Sequence, residues 1–428
     1  MTELEALVGK HADLVAWDNL ESTTKQQIQQ TLGECNYPQG IVYPHTQDSL
    51  REIVALAHTN QWQILPCGNG SKLSWGGLVT YCDLVVSTQK INRIVAHNVA
   101  DLTVTVEAGT TLATLQSQLQ ATGQFIPIDP AYPNTATIGG IIATADSGSW
   151  RQRYGGVRDL VLGVSFVRAD GQIAKAGGKV VKNVAGYDLM KLFTGSYGTL
   201  GIISQVNLRT YPVPAASTTV ILTGTSEIIA NAASILLASS LSPTCADILS
   251  ESVVKQLELG VGMGLMVRFQ SIHASVKEQA QQLQAMGEKL GLQVLVCDDN
   301  QEAELWRKFS QLLRFPTHSQ GITCKIGVLP NRGVEFLNKL HLLTGDRGLG
   351  RMNMGSGLGH LHLDVDSPVE ELRQYCQDYQ GFLTILEAPV TVKQNLEPWG
   401  YTGNALELMG SIKQQFDPDN MFSPGRLF

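Results

Sequence analysis

Several things are scarce in this chain of 428 residues, and each scarcity excludes a class of function. Clustered cysteine is absent. The seven cysteines, at 35, 67, 82, 245, 297, 324 and 376, form no C-x-x-C pair. That spacing suits reduced thiols in a cytosolic-type compartment and leaves no place for an iron–sulfur cluster. Electrons that leave this protein are therefore expected to pass to another chain. Positive charge is also short. A net charge of −7 argues against nucleic acid and against a polybasic membrane contact. No apolar run reaches the roughly 18 residues of a membrane-spanning helix. The opening MTELEALVGKHADLVAWDNL carries acids early and has no apolar core of a secretory signal. A cytoplasmic location follows as the expectation, with any membrane attachment made through partner subunits.

Standard nucleotide fingerprints are missing as well. The stretch PCGNGSKLSWGG (66–77) is rich in glycine around one lysine, the look of a backbone that approaches phosphate. It does not fit G-x-x-x-x-G-K-[ST]. Nor does it fit G-x-G-x-x-G, because Gly68 and Gly70 are followed by Leu73. NAD is not expected of such a chain.

What is present is a folded composition, 43% hydrophobic and 16% charged, long enough for two to three domains. Residues 1–34 read as an N-terminal helical segment, from Leu4, Leu7, Val8, Ile28 and Leu32 at helical spacings. Thr46 or Asp48 is placed to cap a helix through Leu50, Ile53, Val54 and Ala57. Short strands and helices then alternate in an α+β order to the prolines at 212 and 214, which mark a boundary. Within this stretch VRDLVLGVSFVRADGQIAKA reads as a hairpin. Residues 214–395 repeat strand–helix–strand units and read as a cap (substrate) domain, one sheet backed by helices. Residues 396–428 form a C-terminal segment with a helix ended by Asp-Pro.

Four glycine-rich places stand out: 66–77, 137–148, 195–203 and 355–362. A single one marks no more than a turn. Three within one α+β domain let several loops converge their N–H groups on an anion, with no Cβ in the way.

Their order and wording resemble the FAD-dependent oxidoreductases of the vanillyl-alcohol oxidase, or p-cresol methylhydroxylase, type. The first family loop is matched by Pro66, Cys67, Gly68, Asn69, Gly70, Ser71, Lys72 and Leu73. The second block is matched by Thr137, Ile138, Gly139, Gly140, Ile141, Ile142, Ala143 and Thr144, then Ser147 and Gly148, then Tyr154 and Gly155. The third is Gly198, Thr199, Leu200, Gly201, Ile202 and Ile203, and the closing F-D-P…P-G-R runs from Phe416 to Arg426. The resemblance implies a two-subdomain FAD-binding domain over 35–213, to which the C-terminal segment returns. The first loop would wrap the FAD pyrophosphate, with Lys72 an incidental partner of it. The second block would line the pyrophosphate and ribityl chain, with Thr137, Gly140, Thr144 and Gly148 in contact. Gly201–Ile203 would hold the adenine side through backbone groups. One branch of the family bonds FAD covalently through a histidine near the first loop. No histidine lies between His58 and His97, so non-covalent FAD is expected.

GGKVVKNVAGYDLMKLFTGSYGTLGII (177–203) and LEAPVTVK (386–393) resemble in particular the FAD-binding subunit of glycolate oxidase, also called glycolate dehydrogenase. The resemblance implies oxidation of a small-molecule 2-hydroxy acid of the glycolate or D-lactate type, with a hydride moving from C2 to flavin N5. It also implies a second flavin subunit and an iron–sulfur subunit as partners. A physical alternative for the first stretch is a helix start capped by Asn183. The alternative functions are a non-catalytic FAD-binding scaffold or electron relay, and a flavin oxidase of another substrate class.

Relatives carry His-x-Gly-[Asp/x]-Gly-Asn-x-His, whose histidines can bind a metal near the substrate. Here Gly355 replaces the first histidine, His360 the asparagine, and His362 survives. No metal is expected. His360 and His362 share one face of a strand, where they suit catalysis at the flavin or serve as two ordinary polar side chains. Arg151 and Arg153 are alternative carboxylate holders or solvated loop residues. Trp75, Trp150 and Trp399 read as packing at domain seams.

Overall fold

A computed structural model describes residues 8, 11–33, 37–179, 186–314, 321–401 and 403–427. Leu4, Leu7, Cys35, Asn183 and the 180–185 part of the hydroxy-acid signature lie outside them.

The first sheet has the order β1-β2-β4-β3, from β1 (Ala12–Ala16), β2 (Gly40–Pro44), β3 (Ile64–Cys67) and β4 (Leu84–Ser87). Strands β2, β4 and β3 are parallel, and Ile41, Val42, Val85 and Val86 are buried on both faces, as a covered parallel sheet requires. The helix Gln47–Thr59 covers one face. Thr46 accepts from Ser49 N at 3.1 Å and Ser49 returns the bond to Thr46 N at 3.0 Å, so the cap is Thr46 and not Asp48. Leu50, Ile53, Val54 and Ala57 are buried beneath it.

The helical reading of residues 1–34 needs correction. Ser22–Leu32 is a helix, but Ala12–Ala16 is an edge strand that pairs antiparallel with β2, Ala12 opposite Pro44 and Ala16 opposite Gly40. The pairing decides it: the β2 edge offers ladder partners that outweigh a weak local helical pattern. Gly40 is needed at this crossing, since a Cβ there would lie 2.3 Å from Val15 O.

The second sheet is antiparallel, β5-β6-β10-β8-β9, built from β5 (Ile94–Asn98), β6 (Thr103–Glu107), β8 (Val161–Val167), β9 (Ile173–Gly177) and β10 (Ile202–Arg209). Strands β8 and β9 form the expected hairpin, with Gly171 at φ +78 in the turn. Two short strands, β7 (Gln124–Phe125) and β11 (Tyr211–Pro212), pair alongside.

Beyond residue 215 one antiparallel sheet of eight strands has the order β15-β12-β14-β13-β17-β18-β16-β19. The strands are β12 (Ala216–Gly224), β13 (Cys245–Leu249), β14 (Met263–Ser271), β15 (Gln293–Asp298), β16 (Gly321–Gly327), β17 (Leu349–Asn353), β18 (Leu358–Asp364) and β19 (Phe382–Glu387). Helices Ser226–Ala238, His273–Lys289, Gly333–Thr344 and Val369–Asp378 bury one face in a single core that includes Leu265, Phe269, Phe336 and Leu361. Helices Glu251–Gln256 and Asp299–Arg314 cover part of the other. The remainder of that face, near β17, β18 and β16, carries polar residues and meets the N-terminal half of the molecule.

The C-terminal stretch crosses back to the first sheet. Phe422 bridges Ile64 in parallel and is fully buried. Asp417, after the helix Ala405–Phe416, accepts from Met421 N at 2.9 Å and Phe422 N at 2.7 Å and pairs with Lys413. Phe422→Ala should destabilise the fold by about 3–5 kcal/mol by opening a cavity at this junction, measured as a shift in the urea-unfolding midpoint. A loss under about 1 kcal/mol would show that the C-terminal return does not stabilise the sheet.

Candidate active site

The loop after β3, the helix Ile138–Thr144 and the turn before β10 converge on a cleft. Pro66, Gly68, Asn69, Gly70, Ser71, Lys72 and Leu73 line it, with Thr137, Gly139, Gly140, Ala143 and Thr144, and with Gly201, Ile202 and Ile203. Its glycines are there for want of space. A Cβ on Gly68 would stand 2.1 Å from Thr137 Oγ1, and one on Gly139 would stand 2.8 Å from the Ala108 Cβ. Thr137 caps its helix by accepting from Gly140 N.

Four expected residues sit elsewhere. Ile138 points into the core beneath the second sheet. Ser147 Oγ accepts from Val157 N at 3.0 Å and faces a neighbouring cavity. Gly148 lies so close to Asp129 that a Cβ would overlap its carboxylate at 1.9 Å. Gly155, at φ +77, makes the turn over Asp159. The last two shape the connection that carries Arg151. Conversely, Cys67, Thr88, Ser196, Tyr197, Gly198 and Arg426 line the cleft though none was assigned as a cofactor contact. Ser196–Gly198 lay inside a noted glycine stretch and Arg426 at the end of the closing motif, so proximity was the available signal. Burial pushes the Cys67 thiol up to about 12, which leaves it protonated and inert.

Lys72 lines the cleft and is also held from the other side. Its Nζ donates to Asp146 Oδ2 at 3.0 Å in a buried pair, and the same oxygen accepts from Ala131 N at 2.8 Å. The pair ties the first loop to the segment after the Ile138–Thr144 helix.

Beyond Thr144, which lines both, the cleft adjoins a second, smaller cavity between the two halves of the molecule. Trp75, Asp146, Ser147 and Arg151 form one wall; Lys325, Arg351, Leu358, His360 and Leu386 form the other. Trp75 thus packs at a seam, as expected, and the seam is the cavity wall. Register explains the second wall. Lys325 on β16 pairs with His360 on β18, and His360 pairs with Arg351 on β17, so three basic side chains stand in one row across three strands.

Arg351 is buried. Nη1 donates to Asp247 Oδ1 at 3.0 Å and Ser149 Oγ at 3.4 Å, and Nη2 lies 2.9 Å from His360 Nδ1. A guanidinium can only donate, so His360 Nδ1 accepts and its neutral ring carries the proton on Nε2. Burial raises the Asp247 pKa, and Arg351 opposes the rise. Burial and then Arg351 lower that of Arg151. Burial and then Arg151 lower that of Lys325. Among the described residues Arg151 and Lys325 make no ion pair, so the cavity holds positive charge in excess.

The two predicted histidines part company here. His360 reaches the cavity; His362 sits one step along the strand opposite Thr323 and Leu349, against Gly321, and does not line it. Arg151 points in and Arg153 is exposed. Among the described residues no group of three or more His, Cys, Asp or Glu side chains is placed to hold a metal.

Comparison with known proteins agrees with this architecture. Residues 38–177 match the FAD binding domain family, and 392–427 match the C-terminal domain of FAD linked oxidases. The chain is 24% identical over 418 residues to glycolate oxidase subunit GlcD of Bacillus subtilis (strain 168), covering 91% of this chain and 89% of that one. It is 27% identical over 423 residues to the mitochondrial D-lactate dehydrogenase (cytochrome) of Arabidopsis thaliana, covering 92% and 74%. A shorter match, 36% over 187 residues, links 44% of the chain to 50% of glycolate oxidase subunit GlcE of Escherichia coli (strain K12). Among solved structures, 4-ethylphenol oxidase from Gulosibacter chungangensis superposes with a TM-score of 0.77 at 15% identity over 100% of this chain and 96% of that one. p-Cresol methylhydroxylase gives 0.74 at 16% over 100% and 95%. The fold is the α+β, p-cresol methylhydroxylase type.

Gly68→Ala should break the cleft without unfolding the sheet, because the added methyl displaces Thr137. FAD content of the purified protein, read from flavin absorbance per chain, should fall at least about ten-fold. Full occupancy in this variant would contradict the close approach of loop and helix.

Proposed function

We propose that this chain, an FAD-dependent oxidoreductase built from an FAD binding domain and an FAD linked oxidase C-terminal domain, oxidises a small 2-hydroxy acid of the glycolate or D-lactate type. The observation that carries the reading is the cationic cavity adjoining the cofactor cleft at Thr144. Its one lining carboxylate, Asp146, is paired with Lys72, so a substrate carboxylate is the anion that would meet Arg151 and Lys325.

The residues present fit FAD. The glycine loops clear a path that Cβ atoms would block, and Asn69 Oδ1 and Arg426 Nε are buried at the cleft without a partner among the described residues. Among the described residues no histidine lines the cleft, and Cys67 is held protonated, so FAD is expected to be bound non-covalently. When bound, FAD supplies a hydride acceptor.

The residues of the cavity divide the remaining work by their chemistry. Arg151 is a cation whose side chain makes no hydrogen bond or ion pair among the described residues, and it holds the substrate carboxylate. Arg351 is committed to Asp247 and Ser149, and fixes the His360 tautomer. His360, with its proton on Nε2, lines the same cavity wall between Arg351 and Lys325. Lys325 is the one cavity cation that can give up its proton, and as the neutral amine it takes the proton of the hydroxyl. The groups facing it are Asp146, Arg151, His360 and Arg351. Its lowered pKa means that the neutral amine forms at a lower pH than for a free lysine. The reduction rate should therefore rise with pH up to that pKa and level off above it. No step requires a metal or His362.

Two relatives carry the name glycolate oxidase subunit, which supports an assembly of subunits. The described cysteines are dispersed and all but Cys67 are buried, so electrons must leave to another carrier. We read a second flavin subunit and an iron–sulfur subunit as those partners. Among the described residues no helix is long and apolar enough to cross a membrane.

Anaerobic mixing of the FAD-loaded chain with glycolate, D-lactate or D-2-hydroxyglutarate tests the reading. At least one should bleach the flavin. Arg151→Met should raise the substrate concentration for half-maximal bleaching by about 10–100-fold. Lys325→Met should slow bleaching by about 100-fold or more and remove its rise with pH. Flavin that dithionite reduces and no 2-hydroxy acid does would leave a scaffold or relay subunit.

A further inference from the structure

We infer that Arg426 is a cofactor-contacting cation: its guanidinium meets negative charge on FAD in the cleft. This rests on the FAD domain alone and not on the choice of substrate.

Arg426 is 4% exposed, and its side chain forms part of the cleft wall. Nη2 donates to Leu73 O at 2.7 Å, at the end of the first glycine loop. Nε is buried with no partner, and among the described residues no carboxylate pairs with the guanidinium. The side chain is held in place from behind. Trp399 Nε1 donates to Arg426 O at 2.8 Å, and Gly77 passes so close that a Cβ there would lie 2.2 Å from that oxygen.

A second buried cation grips the same loop. Lys393, 5% exposed, donates to Ser74 O and, at 2.9 Å, to Gly76 O. Burial, then Arg426, lowers its pKa to about 7, while burial lowers that of Arg426 to about 10. The carboxylate facing Lys393 is Glu387, which is engaged by Ser74 Oγ at 3.1 Å and by the Tyr132 hydroxyl at 3.3 Å. Lys393 thus has one carboxylate beside it, and Arg426 has none among the described residues. Uncompensated burial of this kind is costly, and an arriving anion relieves it. FAD brings two candidate anionic regions: its diphosphate, and the pyrimidine edge of the ring, which gains negative charge on reduction. A guanidinium suits either.

The test titrates full-length apoprotein with FAD and with riboflavin, following flavin fluorescence, for wild type, R426M and R426K. Circular dichroism of each apoprotein checks folding. R426M should bind FAD at least about ten-fold more weakly than wild type, and R426K should regain most of that loss. A loss with FAD alone assigns the contact to the diphosphate; an equal loss with riboflavin assigns it to the ring. Should R426M not fold, R426Q, which keeps a donor for Leu73 O, enters the same titration. Affinity within two-fold of wild type in the folded neutral variant would overturn the inference. Substrate turnover does not enter the measurement, so its outcome is separate from that of the hydroxy-acid reading.

Discussion

Arg351 lies buried between Asp247 on the neighbouring strand, the His360 ring and Ser149 of the FAD-binding half. Removing Asp247 would leave the guanidinium uncompensated away from water, which is far costlier than losing a surface pair. This constraint sets much of the cavity. It consumes the Asp247 charge, fixes the proton of His360 on Nε2, and holds the eight-stranded sheet against the segment that carries Arg151. Among the described residues it also leaves Arg151 and Lys325 as the cavity cations without an ion pair.

The cofactor cleft and the cavity solve different electrostatic problems. At the cleft, backbone approaches the ligand wherever glycine removes a Cβ, and Lys72 is spent on Asp146. Charge there comes from Arg426, delivered by the C-terminal return through Asp417 and Phe422. In the cavity, charge comes from Lys325 in the three-strand row and from Arg151 on the opposite wall. The C-terminal segment and the cap thus each bring to the FAD-binding half a cation that it does not itself supply.

The glycine loops were legible in sequence because close backbone approach leaves a direct mark: Gly68 and Gly139 have no room for anything larger. The same reasoning overreached at Gly148 and Gly155, where the close neighbours are Asp129 and Asp159 rather than the cleft. Two features had no local signature. The row Arg351–His360–Lys325 depends on strand register, so Arg351 and Lys325 carried no mark in the sequence, while His360 and His362 stood out by their likeness to a motif. The edge strand Ala12–Ala16 was read as helix because its partner, β2, lies beyond an intervening helix. The fate of Lys72 likewise depended on Asp146, remote in the chain and unmarked by any motif.

The central claim is that this cavity removes a hydride from C2 of a 2-hydroxy acid held by its carboxylate. Stopped-flow flavin reduction under anaerobic conditions, comparing D-lactate or glycolate with its C2-deuterated form, addresses it most directly. The account predicts full bleaching in a single turnover and a slower rate with deuterium. Bleaching at equal rates would contradict cleavage of that bond as the limiting chemistry, and no bleaching by any 2-hydroxy acid in a fully FAD-loaded chain would contradict the assignment itself.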